Sequence, residues 1–563
     1  MSKAYTVVDY LLERLSELGA DRIFGVPGDF TLTMLDHIER DERVQWVGCA
    51  NELGAGYAAD GYARIRGIGV LCTTFGVGEL SAINAIAGSY AEHVPVVHLV
   101  GAPARAVQSA GERTHHSLGT GDFGVFARMT SEVVCAQAAL DENNACAEID
   151  RVLHSVITHR QPGYLVLPSD LTELEVCPPA EPLAGAGNVT DPDALRRFAA
   201  AAGGLMENAS RAALLADVFV YKMGAQENLR ALIDAGNLPH ATLLWGRRVV
   251  NEAHPAYLGI YNGAASAPEV REAIEDSDVL IQAGVRFTDL TSGFFTQQLA
   301  LERLINVGAR SSSVAGKQYG PIGLADALDA LRDICAARGP FAAHRAAPVQ
   351  ERVVQDTGNG KPLSQEALWD VVSAALRPGD LVIAEQGTSF YGMGSHRLPD
   401  DTVFIGQPLW ASIGYTLPAL LGAALAAPQR RPVLLIGDGS AQLTIAELGT
   451  MIRQHVNALI VVVNNDGYTV ERAIHGPEAA YNDIAHWDWT ALPAALGKGC
   501  HSFSARVSTM GQLRDALATA ATFNDRLALI EAVVPRLDVP PLLRALAEAA
   551  GAANRRSRQQ SPD

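Results

Sequence analysis

Apolar runs of four to eight residues, set between helical periodicities, recur along the whole 563-residue chain. Near the N-terminus, Thr6 is placed to cap a helix carrying Val7, Leu11, Leu15 and Leu18 on one face, stopped by Gly19. Val44 to Cys49 reads as a strand running directly into Asn51-Glu52. Val70 to Phe75, Val94 to Val100 and Tyr164 to Leu167 read as further strands. None alternates apolar with polar, as expected for parallel strands covered by helices on both faces. The pattern returns between about 190 and 340, with Ala212 to Phe219, Ala241 to Trp245 and Val279 to Ala283 as strands. It returns again after Pro362, with Leu381 to Ala384, Val403 to Ile405, Pro432 to Ile436, Leu459 to Val463 and Leu527 to Val533. Breaker-rich stretches separate these segments, at Cys177 to Asp193 and Arg338 to Lys361.

The expected fold class is therefore α/β, with three doubly wound parallel-sheet domains. Their bounds are 1–183, 190–345 and 360–550. The basic and polar residues 551–563, among them Arg555, Arg556, Arg558, Gln559 and Gln560, read as a disordered tail. No short-period repeat is present.

Composition narrows the class. The 62 acidic against 44 basic residues give a formal charge of -18, which argues against a general nucleic-acid or anionic-membrane surface. Seven cysteines without a CxxC pair suggest reduced thiols and a cytoplasmic location. Met1 to Tyr10 has no apolar signal core, and no apolar run approaches the ~20 residues of a membrane span.

The third segment carries the most specific chemistry. Gly437-Asp438-Gly439-Ser440 closes one apolar strand, and Asn464-Asn465-Asp466-Gly467 closes the next. Asp438 and Asn465 are separated by room for a helix, Leu443 to Gln454, and a return strand. Both then sit at strand C-termini, where parallel sheets bind ligands. The Asp438 carboxylate, the Asn465 side-chain oxygen and the Gly467 carbonyl suit Mg²⁺, a hard cation, with diphosphate oxygens and a water completing an octahedron. Glycine leaves the backbone free to approach phosphate. Glu52 follows a strand and opens a helix. A His115-His116 pair in a loop suits proton handling near neutrality; zinc is the rival, but no Cys or third His stands at ligand spacing.

The paired motif resembles the diphosphate-binding signature of thiamine-diphosphate enzymes. Further stretches narrow the resemblance to the pyruvate, indolepyruvate and branched-chain 2-keto acid decarboxylase family, across nearly the whole chain. They are Phe24-Gly-Val-Pro-Gly-Asp29, Cys49-Ala-Asn-Glu52, Tyr57-Ala-Ala-Asp-Gly-Tyr-Ala-Arg64 and Thr74-Phe-Gly-Val-Gly-Glu-Leu-Ser81. They continue with His115-His116, Gln386-Gly-Thr-Ser389, Pro408-Leu-Trp-Ala-Ser-Ile-Gly414 and Asn464-Asn-Asp-Gly-Tyr-Thr-Val-Glu-Arg-Ala-Ile-His-Gly476. The bacterial indolepyruvate and broad-range decarboxylases are the most similar branch.

The resemblance implies non-oxidative decarboxylation of a 2-keto acid to an aldehyde, through a thiamine diphosphate ylide and an enamine. It names the three domains pyrimidine-binding, central and diphosphate-binding. Glu52 would bond the aminopyrimidine, and Asp29, His115 and His116 would relay protons. Glu471 would face the substrate carboxylate with a raised pKa, giving an activity optimum below neutrality. Ile413 would wedge between the cofactor rings, the Ala411 carbonyl would accept from the amino group, and Thr388, Gly437, Gly439 and Ser440 would lie against the diphosphate. The pocket would be lined by Gln386, Phe390, Tyr391, Val470, Ile474, Leu542 and Leu546. Gln386 and Phe390-Tyr391 depart from the pyruvate-specific pattern, which favours branched-chain or aromatic acids such as 2-ketoisocaproate, phenylpyruvate or indolepyruvate. The active unit would be a homodimer, with a homotetramer common.

Four alternatives stand beside this reading. An acetolactate synthase or flavin oxidase of the same superfamily, or a pyruvate-preferring decarboxylase, would keep the cofactor. A NAD dehydrogenase has only Gly119 to Gly124, a GxGxxG that follows no apolar strand. A catalytically dead scaffold would not need Glu52, Asp29, His115, His116 and Glu471 together.

Overall fold

The computed structural model describes residues 4–185, 187, 189–341 and 361–560. Three sheets appear in chain order. The first holds β1 (Arg22–Gly25), β2 (Gln45–Gly48), β3 (Gly69–Thr74), β4 (Val96–Ala102), β5 (Ala136–Ala139) and β6 (Gly163–Pro168), ordered β2-β1-β3-β4-β6-β5. The central sheet holds β7 (Ala212–Ala216), β8 (His240–Thr242), β9 (Tyr257–Ile260), β10 (Val279–Ala283), β11 (Leu304–Val307), β12 (Ser312–Val314) and β13 (Lys317–Tyr319), ordered β13-β12-β11-β10-β7-β8-β9. The third holds β14 (Leu381–Ala384), β15 (Val403–Ile405), β16 (Pro432–Gly437), β17 (Leu459–Asn464), β18 (Ser502–Val507) and β19 (Leu527–Val533), ordered β15-β14-β16-β17-β19-β18. The first and third sheets are parallel throughout; β12 runs antiparallel to both of its neighbours in the central one.

The N-terminal helix forms as expected over Val7–Glu17. Thr6 Oγ1 accepts from Asp9 N, and the Asp9 carboxylate accepts from Thr6 N at 2.9 Å, a reciprocal cap. Several expectations change. The run Ala212 to Phe219 leaves the sheet at Ala216, and Phe219–Lys222 coils into a short helix. Ala241 to Trp245 gives a strand only to Thr242, then a 3₁₀ turn at Leu244–Val249. The helix placed over Leu443 to Gln454 is two pieces, Asp438–Thr444 and Glu447–Arg453. The described residues of the linker Cys177 to Asp193 hold no strand before the helix Pro192–Glu207. Most of the second linker, 342–360, lies outside the described residues. The C-terminal helix runs over Pro541–Gln560, past Gly551, where a tail was expected. Ala, Arg and Gln are good helix formers, and one interior Gly costs only about 1 kcal/mol.

The first and third domains share one hydrophobic core, joining Phe24, Tyr57 and Val100 to Leu381, Ile436 and Leu448. Its centre is the crossing of the helices Glu52–Arg66 and Thr416–Ala426. A Cβ on Gly61 would lie 2.1 Å from the Ala419 carbonyl oxygen, and one on Gly422 would lie 1.8 Å from that of Ala58. Only glycine permits this approach. Beside the crossing, the buried Asp60 carboxylate accepts from Arg64 Nε, Tyr415 Oη and Ser89 Oγ at 2.6–2.7 Å. Arg64 also donates to Glu92 at 2.8 Å. Glu92 in turn accepts from the Leu409 and Trp410 backbone N–H groups at 3.0 and 3.3 Å. This network fixes the loop that leads to Ile413.

Candidate active site

One half of the site stands at the C-terminal ends of β14, β16 and β17. Asp438 and Asn465 are only 2% and 4% exposed. Asp438 accepts from Gly439 N at 2.8 Å and Gly467 N at 3.2 Å, while burial raises its pKa to about 6. Gly467 adopts φ +117°, and a Cβ there would lie 2.2 Å from the Asn482 carbonyl oxygen, so the turn requires glycine. One terminal atom of the Asn465 carboxamide lies 2.9 Å from the Gly467 carbonyl oxygen and 3.1 Å from Asp438 Oδ1. As oxygen, it completes three convergent acceptors with no proton between them, the donor set a hard cation takes. Turned over, its NH₂ donates to both acceptors instead. The residues therefore fit Mg²⁺ in one amide orientation.

These groups open onto a cavity of about 280 Å³. Thr388, Ala411, Ile413, Gly437, Gly439 and Ser440 line it, as do Gln386, Tyr391, Val470, Glu471, Ile474 and Leu546. Two sequence expectations change. Phe390 is buried in the core, its ring stacked on Phe404 at 5.8 Å, and does not reach the cavity. Leu542 packs against the third-domain core, and Leu543, one residue on, lines the cavity instead. On a helix one residue turns the side chain by about 100°, which sequence position alone did not resolve.

Other lining groups were missed. Leu290 and Phe294 come from the central domain. Glu385, at the end of β14, is 2% exposed, and burial raises its pKa to about 7. It accepts from Thr416 Oγ1 at 2.6 Å, Gly414 N at 3.2 Å and Gln386 N at 3.1 Å. It thereby ties the Gln386 loop to the Ile413 loop. An acidic residue closing the apolar run Leu381 to Ala384 was the available signal. Glu471 stands at the open side of the cavity, with partial burial raising its pKa. Gln386 donates to Tyr391 Oη at 2.8 Å, while its Oε1 has no partner among the described residues.

The other half belongs to the first domain. Glu52 is the first residue of its helix, which Asn51 caps by accepting from Gly54 N at 2.7 Å. A Cβ on Gly78 would lie 3.2 Å from Glu52 Oε1, so the carboxylate rests against glycine. Glu447 of the third domain accepts from Ala50 N at 2.9 Å and Asn51 N at 3.4 Å, steadying the backbone immediately before Glu52. His115 Nε2 lies 2.6 Å from Asp29 Oδ2, and His116 Nε2 lies 3.7 Å from Asp29 Oδ1. Phe30 stacks on His115 at 5.1 Å. The structure thus supplies Asp29 as a third ligand-type group, all three within 4.8 Å. Asp29 and His115 are exposed. None of Glu52, Asp29, His115 and His116 lines the 280 Å³ cavity. Ile413, which lines that cavity, is 36% exposed, and Trp410, three residues earlier in the same loop, is 39% exposed.

Three family models match the chain. Residues 5–123 match the thiamine pyrophosphate enzyme N-terminal TPP binding domain, 199–333 the central domain and 389–532 the C-terminal TPP binding domain. The alpha-keto-acid decarboxylase of Mycobacterium avium is 54% identical over 540 residues, 96% of each chain. That of Mycobacterium leprae is 53% identical over 551 residues, 98% of this chain and 96% of the relative. That of Mycobacterium tuberculosis is 54% identical over 539 residues, 96% of each chain.

Proposed function

Because this chain belongs to the thiamine-diphosphate-dependent 2-keto acid decarboxylase family, we propose that it converts branched-chain or aromatic 2-keto acids to aldehydes and CO₂ at a site shared by two chains. The observation that carries the reading is the division of the site. A buried oxygen cradle and most of an apolar cavity belong to one domain, with Leu290 and Phe294 added from the central one, and a carboxylate with a His–Asp–His cluster belongs to another.

Asp438, Asn465 and Gly467 would hold Mg²⁺ and, with Thr388 and Ser440, a diphosphate. Ile413 and the Ala411 carbonyl would support the rings beyond it. Bound thiamine diphosphate supplies the nucleophilic carbon and the electron sink for losing CO₂. Glu52, its carboxylate resting against Gly78, would accept a hydrogen bond from the aminopyrimidine. His115 and His116 move protons through Nε2, with Asp29 orienting both rings. Glu471, protonated beyond the usual carboxylate range, donates to the substrate carboxylate rather than repelling it. Val470, Ile474, Leu543 and Leu546 exclude water from the departing group.

The same cavity supports the substrate class. Its apolar wall suits a side chain larger than methyl. The unpartnered Gln386 Oε1 suits an aromatic ring bearing an N–H, as in indolepyruvate. A panel of 2-keto acids, coupled through alcohol dehydrogenase and NADH, tests this. Phenylpyruvate, indolepyruvate or 2-ketoisocaproate is expected to exceed pyruvate in kcat/KM by about 10–200-fold, the range that pocket fit supplies. Pyruvate preference, or acetolactate as the main product, would overturn it.

Two chains are favoured because Ile413, Trp410 and Leu443 of the third domain and Val77 and Leu118 of the first are exposed apolar groups near the two half-sites. Pairing two copies would cover both sets. All seven cysteines are free, and no described helix is long and apolar enough to cross a membrane. These features support a cytoplasmic enzyme.

A further inference from the structure

Ile413 is 36% exposed and belongs to none of the hydrophobic cores among the described residues. A side chain in that setting keeps its place only if its backbone does. The backbone around it is strained. Ala411 stands at φ +54°, a left-handed conformation that is unfavourable for a residue with a Cβ, and Gly414 stands at φ +86°. A Cβ on Gly414 would lie 2.9 Å from Leu443 Cβ. Two left-handed residues in four persist only where the surroundings determine them.

The residues on either side of Ile413 are pinned through their N–H groups. Ser412 N donates to Gln407 Oε1 at 3.1 Å, and Gly414 N donates to Glu385 Oε2 at 3.2 Å. Both acceptor residues are 2% exposed. Gln407 belongs to the loop it pins, whereas Glu385 stands outside it. Glu385 follows β14, where its N–H donates to the Leu435 carbonyl of β16 at 2.8 Å and its own carbonyl accepts from Phe390 N at 3.1 Å. Its backbone is therefore part of the sheet's rigid end.

The carboxylate joins two loops from that base. Oε2 also accepts from Thr416 Oγ1 at 2.6 Å, and Oε1 accepts from Gln386 N at 3.1 Å, at the start of residues 386–388. No cation is among the groups acting on it. A carboxylate buried without a cation is costly. An amide would serve worse, since its NH₂ would face an N–H of one loop or the other. We infer, on the reading that thiamine diphosphate fills this cavity, that Glu385 is a positioning residue for the wedge. It fixes Ile413 through the Gly414 backbone while holding residues 386–388, and so sets how the two cofactor rings meet.

The test compares the full parental chain with Glu385→Gln, Ile413→Ala and the double variant, by two readouts that need no substrate. In the cofactor-free chain, amide hydrogen–deuterium exchange over residues 408–414 should speed up in Glu385→Gln, while that over residues 437–440 stays parental. In the holoenzyme, exchange of the cofactor C2 proton for deuterium, followed by NMR, should slow by about 10–100-fold, as expected for misplacement of roughly 1 Å. Affinity for thiamine diphosphate should fall by less. Ile413→Ala should slow the C2 exchange comparably, and the double variant little further, because the pin then has nothing to place. Glu385→Asp keeps the charge and draws the oxygens back by one methylene. It should show the same pattern to a smaller extent, which tests the role even where Glu385→Gln unfolds. A parental chain that binds no thiamine diphosphate would overturn the cofactor reading and this role with it. With the cofactor bound by the parent, parental exchange at both places in the Glu385 variants, or losses that add in the double variant, would overturn the role of Glu385 alone.

Discussion

The first and third domains share a strand order and differ in what they place at the ends of those strands. In both, the sheet reads second, first, third, fourth, sixth, fifth. After the first strand come Asp29 in one and Gln386 to Thr388 in the other. After the second come Glu52 and Ile413; after the third, Thr74 to Gly78 and Asp438; after the fourth, the connection to His115-His116 and Asn465. The third domain fills these positions with buried oxygen donors and an apolar wedge. The first places titratable side chains at three of the four, of which Asp29 and His115 are exposed. The backbone provides one set of positions, and the side chains make it either a clamp or a proton store.

The largest expected effect lies on the proton side. Glu52→Gln should lower kcat by about 10²–10⁴-fold, the range for a lost proton-transfer group, while circular dichroism and melting stay parental. Parental turnover in that variant would deny Glu52 any part in the chemistry. On the clamp side, Asp438→Asn should weaken Mg²⁺-dependent cofactor binding by more than the about 10–100-fold typical of groups behind a metal ligand. For the intact protein, burial raises the Asp438 pKa to about 6. A proton therefore competes with the cation, and affinity should fall as pH drops through about 6, measured by titrating Mg²⁺ at several pH values.

The next effect concerns Glu471. Burial raises its pKa, so the protonated form survives to higher pH than in an ordinary carboxyl and is lost as pH rises further. Activity should decline on the alkaline side, with an optimum below neutrality. Glu471→Gln, a donor that does not titrate, should flatten that limb at lower kcat. A profile of the parent enzyme still rising above neutrality would contradict the role. The smallest effect is on the scaffold that both domains share. Gly422→Ala drives a methyl against the Ala58 carbonyl and should cost about 1–3 kcal/mol in chemical denaturation, without changing substrate preference.

The two domains also differed in how far the sequence exposed them. Strands that are apolar throughout, such as Leu381 to Ala384, or long, such as Leu527 to Val533, stand out in the sequence to the residue. Arg22–Gly25 was not, because four residues beginning with Arg carry little pattern. β11 to β13 were missed for the same reason. In the clamp, motif spacing placed Asp438, Asn465 and Gly467 in one turn pair. It could not show Glu385 or Glu447, whose roles depend on which loops they bridge. Phe390 and Leu542 failed because the facing of a side chain within a helix depends on the packing around it. Leu290 and Phe294 were invisible, since only the folded chain brings the central domain to the cavity.

The proposed active site requires its two halves to meet across two chains. Mixing Glu52→Gln chains with Asp438→Asn chains, with unfolding and refolding to exchange subunits, tests that directly. Each parent variant should be nearly inactive. In the mixture, half of the dimers should pair an intact first domain with an intact third domain once, restoring about a quarter of parental turnover by statistical pairing in a two-fold dimer. Turnover no greater than the sum of the separate variants, with mixed dimers demonstrably formed, would place both halves in one chain and rule out a shared site.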